Sequence, residues 1–254
     1  MSESTTPAVV LRTRPLGEAD LVVIVLTPGR GKLDCVAKAA RRSRKRFPGG
    51  LAVGARGQAE IADHSRGSLL PLTGFVPSAD HGKVGRDLEL FAYVAYLCDL
   101  SDRLLDTAVP DPTGFARLCD AIATAMDATS PVILRRYELG LLDELGLLPA
   151  LDRCSVCGSP VDEQPGGIAF SHERGGALCL AHSRAASRVP GPVLGLAAAL
   201  LSDDPELAVA AYAAAEGPTR RALRDLCRDR IHPHLRGPLH SLGFFAQIAK
   251  PGAR

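Results

Sequence analysis

Three cysteines and one histidine are the residues whose types and spacing most clearly indicate chemistry. Two residues separate Cys154 from Cys157, and the same gap separates Cys179 from His182. Such gaps let a tight turn aim both side chains at one ion, and two such pairs supply the four ligands of a tetrahedral zinc site. His172 lies between the two pairs and is the alternative fourth ligand. The spacing therefore predicts one bound zinc ion.

The ligand count also predicts what the zinc does. Four protein ligands leave no coordination position for water, so the ion is expected to be structural and not catalytic. A zinc hydrolase would need an open position, and a zinc deaminase would carry a His-x-Glu segment, which this sequence lacks. We find no motif that pairs a nucleophile with a general base, so the sequence predicts a protein that is not an enzyme.

Basic residues are the second chemically informative feature. Those residues whose positions favour contact with nucleic-acid phosphates are Arg12, Arg14, Lys32, Lys38, Arg41, Arg42, Arg44, Lys45 and Arg46. The last six form a run without any acidic residue, for which a solvated loop is the alternative interpretation. Aromatic residues make up only 4% of the chain and Trp is absent, so base stacking should contribute little. We therefore expect binding that is salt-dependent and tolerant of sequence.

The charge distribution separates two regions of the 254-residue chain. Residues 1–86 contain 14 Lys and Arg against 7 Asp and Glu, a net charge of +7, whereas the remainder contains 16 against 21, a net charge of −5. A chain of this length accommodates two domains, and a basic domain implies a polyanionic partner. The sequence predicts a nucleic-acid-binding domain over 1–80 and a second domain over 81–254.

The basic region is patterned as short strands. Pro and Gly residues separate five apolar runs, at 8–14, 19–26, 32–39, 58–62 and 69–75. Five strands without a crossover helix predict a small barrel, for which the five-stranded OB-fold is the best match and an SH3-like barrel is the alternative.

The second region is patterned as helices. From residue 87 onwards Leu88, Phe91 and Ala95 repeat at helical spacing in a stretch that is apolar almost all round, which predicts a buried helix. Ser130 and Pro131 mark the start of another helix, on which Arg135 is expected to point away from the apolar face. Further helices are predicted near 112–128, 193–201, 205–215 and 219–231. The predicted fold is therefore α+β, an OB-fold barrel followed by a mostly helical domain with a zinc module at about 152–185.

Cysteine usage indicates the compartment. Seven cysteines is an odd number, and the start of the chain has no basic segment followed by an apolar run, so we expect reduced thiols in the cytoplasm. If DNA is the partner, the location is the nucleoid.

Several segments together resemble the RecO family of bacterial recombination mediators. They occur in the family's order at 16–26, 31–32, 37–43, 135–147, 153–158 and 175–179. The resemblance implies an OB-fold, a helical domain and a zinc module, although many relatives have a second Cys-x-x-Cys where this chain has Cys179 and His182.

The same resemblance implies a function that spacing cannot show. It implies binding to single- and double-stranded DNA and annealing of complementary strands. It also implies action with RecR to help load RecA on strands covered by single-strand-binding protein. An RNA-binding module of translation or transcription, built on the same barrel and zinc unit, is the alternative.

Overall fold

The computed structural model describes residues 3–64, 67–78 and 82–248. Contacts divide the chain into two compact units, of which the first combines Met1–Thr129 with Leu235–Arg254 and the second is Ser130–His234. The predicted boundary between residues 80 and 81 lies outside the described residues.

The first unit contains a closed barrel. Its strands are β1 (Glu3–Leu16), β2 (Asp20–Thr27), β3 (Gly31–Ala37), β4 (Arg56–Ala62) and β5 (Leu70–Pro77). They pair in the order β1-β2-β3-β5-β4, with β3 and β5 parallel and the other pairs antiparallel. The OB-like barrel predicted from the apolar runs is confirmed.

The helices of the described residues are distributed over both units. They are α1 (Leu88–Leu104), α2 (Pro112–Asp127), α3 (Pro131–Glu144), α4 (Gly191–Leu200), α5 (Pro205–Ala214), α6 (Gly217–Ile231) and α7 (Leu242–Ile248). The predicted helices are all present, whereas α7 was not predicted. None of the described helices is both long and apolar enough to span a membrane.

The outer side of the barrel is partly covered by helices. Val23 and Val25 of β2 point into the barrel core, as the alternation of a strand requires. Val22, Ile24 and Leu26 point outward and are nevertheless buried, because α1 contacts β1 and α2 contacts β2. The continuous apolar run of β2 is thus explained by burial on both faces.

Helix α1 is the buried helix that the sequence predicted. The carboxylate of Asp87 caps it by accepting hydrogen bonds from the N–H groups of Glu89 and Leu90, at 2.9 and 3.1 Å. The C-terminal helix α7 packs against it, and the rings of Phe91 and Phe244 meet edge to face with centroids 4.9 Å apart.

The second unit consists of α3 to α6 and one small sheet. The strands of this sheet are β6 (Ile168–Ser171), β7 (Gly176–Leu178) and β8 (Ser187–Val189), with β6 in the centre. These strands of three or four residues were not predicted, because runs so short carry no recognisable alternation.

The structure corrects the placement of Arg135. This residue is buried, and its Nη2 donates a hydrogen bond of 2.6 Å to Oε1 of Glu138, which is also buried. The expectation that Arg135 points away from the apolar face is wrong, because α3 contacts α4, α5 and α6 and is enclosed on more than one side.

Candidate metal centre and nucleic-acid interface

One side-chain cluster of the second unit has the composition of a metal site. The ligand atoms of Cys154, Cys157, Cys179 and His182 all lie within 4.8 Å of one another. The Sγ atoms of Cys157 and Cys179 are 3.7 Å apart, and Nδ1 of His182 lies 3.6 Å from Sγ of Cys154 and 3.3 Å from Sγ of Cys179. Tetrahedral zinc with Zn–S of about 2.3 Å and Zn–N of about 2.0 Å requires S···S edges of about 3.8 Å and S···N edges of about 3.5 Å. The three distances given above match these values, and each of the four side chains contributes to at least one of them.

Two tight turns present the ligands. In the first turn Gly158, at φ +71°, donates its N–H to the carbonyl oxygen of Cys154 at 2.8 Å. In the second turn the N–H of His182 bonds to the carbonyl oxygen of Cys179 at 3.0 Å, and Leu180–His182 forms a single 3-10 turn. Each pair of ligands is therefore positioned by a local backbone hydrogen bond. This explains why the spacing of each pair in the sequence predicts the site.

The cluster adjoins a very small hydrophobic core. Cys154 is buried and packs with Ala169 and Leu178. A core of this size buries too little apolar surface to hold a module together by itself. A metal ion that cross-links the two turns would supply the missing stabilisation.

The thiols of the cluster differ in their electrostatic environments. Desolvation raises the pKa of Cys154, but hydrogen bonds from the backbone of Cys179, Val156 and Cys157 outweigh it and lower this pKa to about 5. Desolvation raises the pKa of Cys179, and its hydrogen bonds with the other two thiols raise it further. Because the thiolate is the form that binds metals, Cys154 is prepared as a ligand.

His172, the alternative ligand, lies outside the cluster. Its ring packs against Phe170 with centroids 5.1 Å apart, and its buried Nδ1 has no hydrogen-bond partner among the described residues. The structure thus brings His182 to the three cysteines and leaves His172 against the sheet.

The basic run lies in the loop between β3 and β4 of the first unit. All six of its cationic side chains are exposed, namely Lys38, Arg41, Arg42, Arg44, Lys45 and Arg46. Within the described part of the chain, Arg44 and Lys45 make no hydrogen bond and no ion pair. These two cations are therefore available to a phosphate group without breaking an internal contact.

The other cations of the run are tied to the protein in different degrees. Nζ of Lys38 lies 2.8 Å from Oδ2 of Asp20, and Nη2 of Arg46 donates to the carbonyl oxygen of Lys38 at 2.7 Å. Arg42 forms a long ion pair of 3.6 Å with the exposed carboxylate of Glu18. Lys38 and Arg46 thus shape the loop, whereas the side chain of Arg42 is held only weakly.

The remaining predicted contact residues have three different environments. Arg14 is exposed near the end of β1, and Arg12 is half-exposed with Nε 3.1 Å from Oδ2 of Asp102. Lys32 is buried, with Nζ 3.5 Å from Oδ1 of Asp102 and bonded to the Asp102 carbonyl oxygen. Desolvation lowers the pKa of Lys32, and the charge of Asp102 raises it in part. Lys32 therefore faces the interior of the unit, and its position does not support its prediction as a nucleic-acid contact.

On the barrel strands, the described side chains that point outward form no comparable basic surface. OB-folds commonly bind nucleic acid across strands 2 and 3, but here Val22, Ile24 and Leu26 of β2 are buried on that side. On β4 the exposed outward side chains are the neutral Gln58 and the acidic Glu60. Exposed positive charge on the barrel is thus concentrated in the β3–β4 loop, a distribution that the sequence alone did not show.

An OB-like barrel with an exposed basic loop, in one chain with a Cys3His cluster, is typical of proteins that handle nucleic acid. Comparison with known proteins identifies the family within this class. The family model described as "Recombination protein O N terminal" matches residues 1–76, and the one described as "Recombination protein O C terminal" matches residues 85–243. The chain belongs to the RecO family, as its resemblance predicted.

Curated relatives agree over nearly the whole chain. DNA repair protein RecO of Anaeromyxobacter dehalogenans (strain 2CP-1) is 35% identical over 251 residues, which cover 98% of each chain. DNA repair protein RecO of Myxococcus xanthus is 35% identical over 244 residues, which cover 95% of this chain and 96% of the relative. The similarity therefore includes both the barrel and the region that carries the Cys3His cluster.

Proposed function

We propose that this protein is a non-enzymatic DNA-binding mediator of recombinational repair that anneals complementary strands. Membership of the RecO family supports the role in DNA repair and recombination. The observation that carries the DNA-binding part of the proposal is the exposed basic loop, in which Arg44 and Lys45 have no partner within the described residues.

The proposed contacts are to the DNA backbone. Arg41, Arg42, Arg44 and Lys45 are the proposed phosphate-binding residues, and the exposed Arg14 is a further candidate on the same barrel. A cationic loop that reads phosphates has no means of preferring one base, which fits binding to single- and double-stranded DNA. Cations between two strands also reduce the repulsion between their phosphates, which is the physical requirement for annealing.

The partners of this function are proposed from the family resemblance. We infer that the protein acts with RecR on strands covered by single-strand-binding protein and helps RecA to load there. We therefore propose a location in the cytoplasm, at the nucleoid. No feature of the described residues favours the RNA-binding alternative, which becomes an outcome of the test below.

We further propose that the metal of the Cys3His cluster is zinc. The four side chains would hold the ion with no position left for water, so that it supplies a cross-link between the two ligand turns and no reaction step. Loss of the ion would therefore destabilise the second unit directly and affect DNA binding by the first unit only indirectly.

Salt dependence of DNA binding tests the proposed interface. The double variant Arg44→Ala/Lys45→Ala should reduce the slope of log affinity against log salt concentration for a labelled single-stranded oligonucleotide by about 1.4, because each lost phosphate contact contributes about 0.7. Fluorescence anisotropy titrations at salt concentrations between about 50 and 200 mM, where the affinity changes steeply, measure this slope.

A matched control removes the same charge elsewhere. Arg224→Ala/Arg228→Ala deletes two exposed cations of α6 that pair with aspartates, and it should leave the slope unchanged. If the loop variant keeps the affinity and slope of the wild type, the interface is wrong. Competition with RNA of equal length, and strand annealing without ATP, test the choice of DNA; stronger binding to RNA would favour the alternative.

A further inference from the structure

The β1–β2 hairpin places two acidic side chains beside the basic loop, Glu18 and Asp20. Simple electrostatics predicts that both weaken the binding of a polyanion to this loop. We propose instead that Asp20 is a positioning residue that holds the loop in its DNA-binding conformation. Glu18, in contrast, only lowers the net positive charge next to the loop. The inference rests on the proposed DNA-binding function of residues 38–46. It adds Asp20 to that function as a residue that acts through the loop and does not contact DNA itself.

The carboxylate of Asp20 bridges the first two residues of the loop. Oδ1 accepts a hydrogen bond from the N–H of Ala39 at 2.8 Å, and Oδ2 accepts one from Nζ of Lys38, also at 2.8 Å. Ala39 has φ +52°, in the left-handed region that residues with a Cβ disfavour. Its carbonyl oxygen accepts the N–H groups of Arg42 and Ser43, both at 3.0 Å. The turn that carries the cations therefore depends on a strained residue that Asp20 holds in place.

Three further contacts make the loop a defined structure. The N–H of Arg41 donates to the carbonyl oxygen of Ala19 at 3.1 Å, which joins the loop to the tip of the hairpin. The side chain of Arg46 donates to the carbonyl oxygen of Lys38 at the start of the loop. The next residue, Phe47, is buried in the barrel core and anchors the loop there. The loop is thus closed on itself, and Asp20 holds the point where it leaves β3.

Glu18 has the same charge but different contacts. Its side chain is 92% exposed and, within the described part of the chain, has only the 3.6 Å ion pair with Arg42, whereas the side chain of Asp20 is 24% exposed. The hydrogen bond from Ala39 and the pairing with Lys38 lower the pKa of Asp20, so its carboxylate stays charged at neutral pH. Exposed ion pairs such as that of Glu18 contribute little to structure.

Removing Asp20 should therefore weaken DNA binding, whereas removing Glu18 should not weaken it. If charge alone mattered, Asp20→Ala and Glu18→Ala would both bind DNA more tightly. If Asp20 positions the loop, its loss adds the entropy of ordering the loop to the cost of binding. The phosphate contacts of the bound state remain in that case, so the salt dependence should not change.

The test uses the full-length chain and a labelled single-stranded oligonucleotide. We expect Asp20→Ala to bind about tenfold more weakly, equivalent to about 1.4 kcal/mol, with an unchanged salt slope. Asp20→Asn should stay within about threefold of the wild type, because its amide oxygen still accepts the N–H of Ala39. Glu18→Ala should bind equally well or up to about twofold more tightly. Thermal unfolding of each variant reports whether the barrel is intact.

Hydrogen exchange of the free proteins gives a readout that is independent of DNA. The amides of residues 39–43 should exchange faster in Asp20→Ala and remain protected in Glu18→Ala. Equal or tighter DNA binding by Asp20→Ala, or unchanged exchange in this variant, overturns the inference. If Arg44→Ala/Lys45→Ala weakens binding while Asp20→Ala does not, only the positioning role fails; if neither has an effect, the proposed interface fails as well.

Discussion

Lys32 provides the clearest test of the division between structural and DNA-contacting cations. Its side chain is only 7% exposed, and Nζ lies 3.5 Å from the carboxylate of Asp102, whose side chain is 4% exposed. Lys32→Met replaces the ammonium group with an apolar side chain of similar length. Among the described residues, the substitution leaves the buried carboxylate of Asp102 with one ion-pair partner, Arg12, whose Nε is 3.1 Å away.

The expected loss of stability follows from this arrangement. Removing one partner of a buried ion pair costs about 3–5 kcal/mol, and the remaining pairing with Arg12 places Lys32→Met near the lower end, at about 3 kcal/mol. For a unit of this size each kcal/mol lowers the unfolding temperature by about 2–4 °C, which gives a decrease of about 6–12 °C. The salt slope of DNA binding should stay that of the wild type, since the ammonium group does not reach a phosphate.

Circular dichroism during heating and anisotropy titrations at several salt concentrations measure the two quantities on the same protein. Arg44→Met is the matched control, because it removes an exposed cation without an internal partner. The control should leave stability within about 0.5 kcal/mol of the wild type and lower the slope by about 0.7. The reverse pattern, an unchanged unfolding temperature and a lower slope for Lys32→Met, would refute the internal role of Lys32.

Three further predictions concern the metal centre, a close backbone contact and a buried thiol. His182→Ala should abolish binding of zinc, measured by atomic absorption, whereas His172→Ala should retain it. Gly31→Ala, at φ +66°, would drive a Cβ into a backbone carbonyl and should cost more than about 2 kcal/mol. Gly17→Ala, at φ +65° with no atom within 4 Å, should cost only about 1 kcal/mol. Burial raises the pKa of Cys35 from 9.0 to about 12. The contribution of the buried neutral thiol to the free energy of unfolding is therefore complete below pH 9 and is lost as the pH rises towards 12. Urea unfolding at several pH values measures this effect. Above pH 9 the free energy of unfolding of Cys35→Ala should fall less steeply with pH than that of the wild type, and the two slopes should differ by up to about 1.4 kcal/mol per pH unit.

Each of these predictions has an outcome that contradicts it. Zinc retained by the His182 variant would show that another residue completes the site. Equal losses at Gly31 and Gly17 would show that the close backbone approach at Gly31 is unimportant. An unchanged alkaline profile in the Cys35 variant would show that this thiol is not the group that resists ionisation.

Features that depend on local interactions were readable in the sequence. Turn residues between short apolar runs predicted the five strands of the barrel, and the helical repeat after residue 87 predicted a buried α1. The cysteine and histidine spacing predicted a cluster that the structure forms, because each ligand pair is aimed by a local turn of four or five residues. In these cases the residues that determine the structure are neighbours in the chain.

Features that depend on packing between distant segments were decided only by the tertiary structure. Lys32 bonds to Asp102, 70 residues away, and Asp20 bonds to Ala39, 19 residues away. A basic run in the sequence does not show which of its charges are neutralised by such partners or covered by a helix. The sequence by itself thus determined that this protein has a barrel, a helical region and a four-ligand cluster. The fold decided which cations face solvent, because burial and ion pairing are properties of surfaces that meet only when the chain has folded.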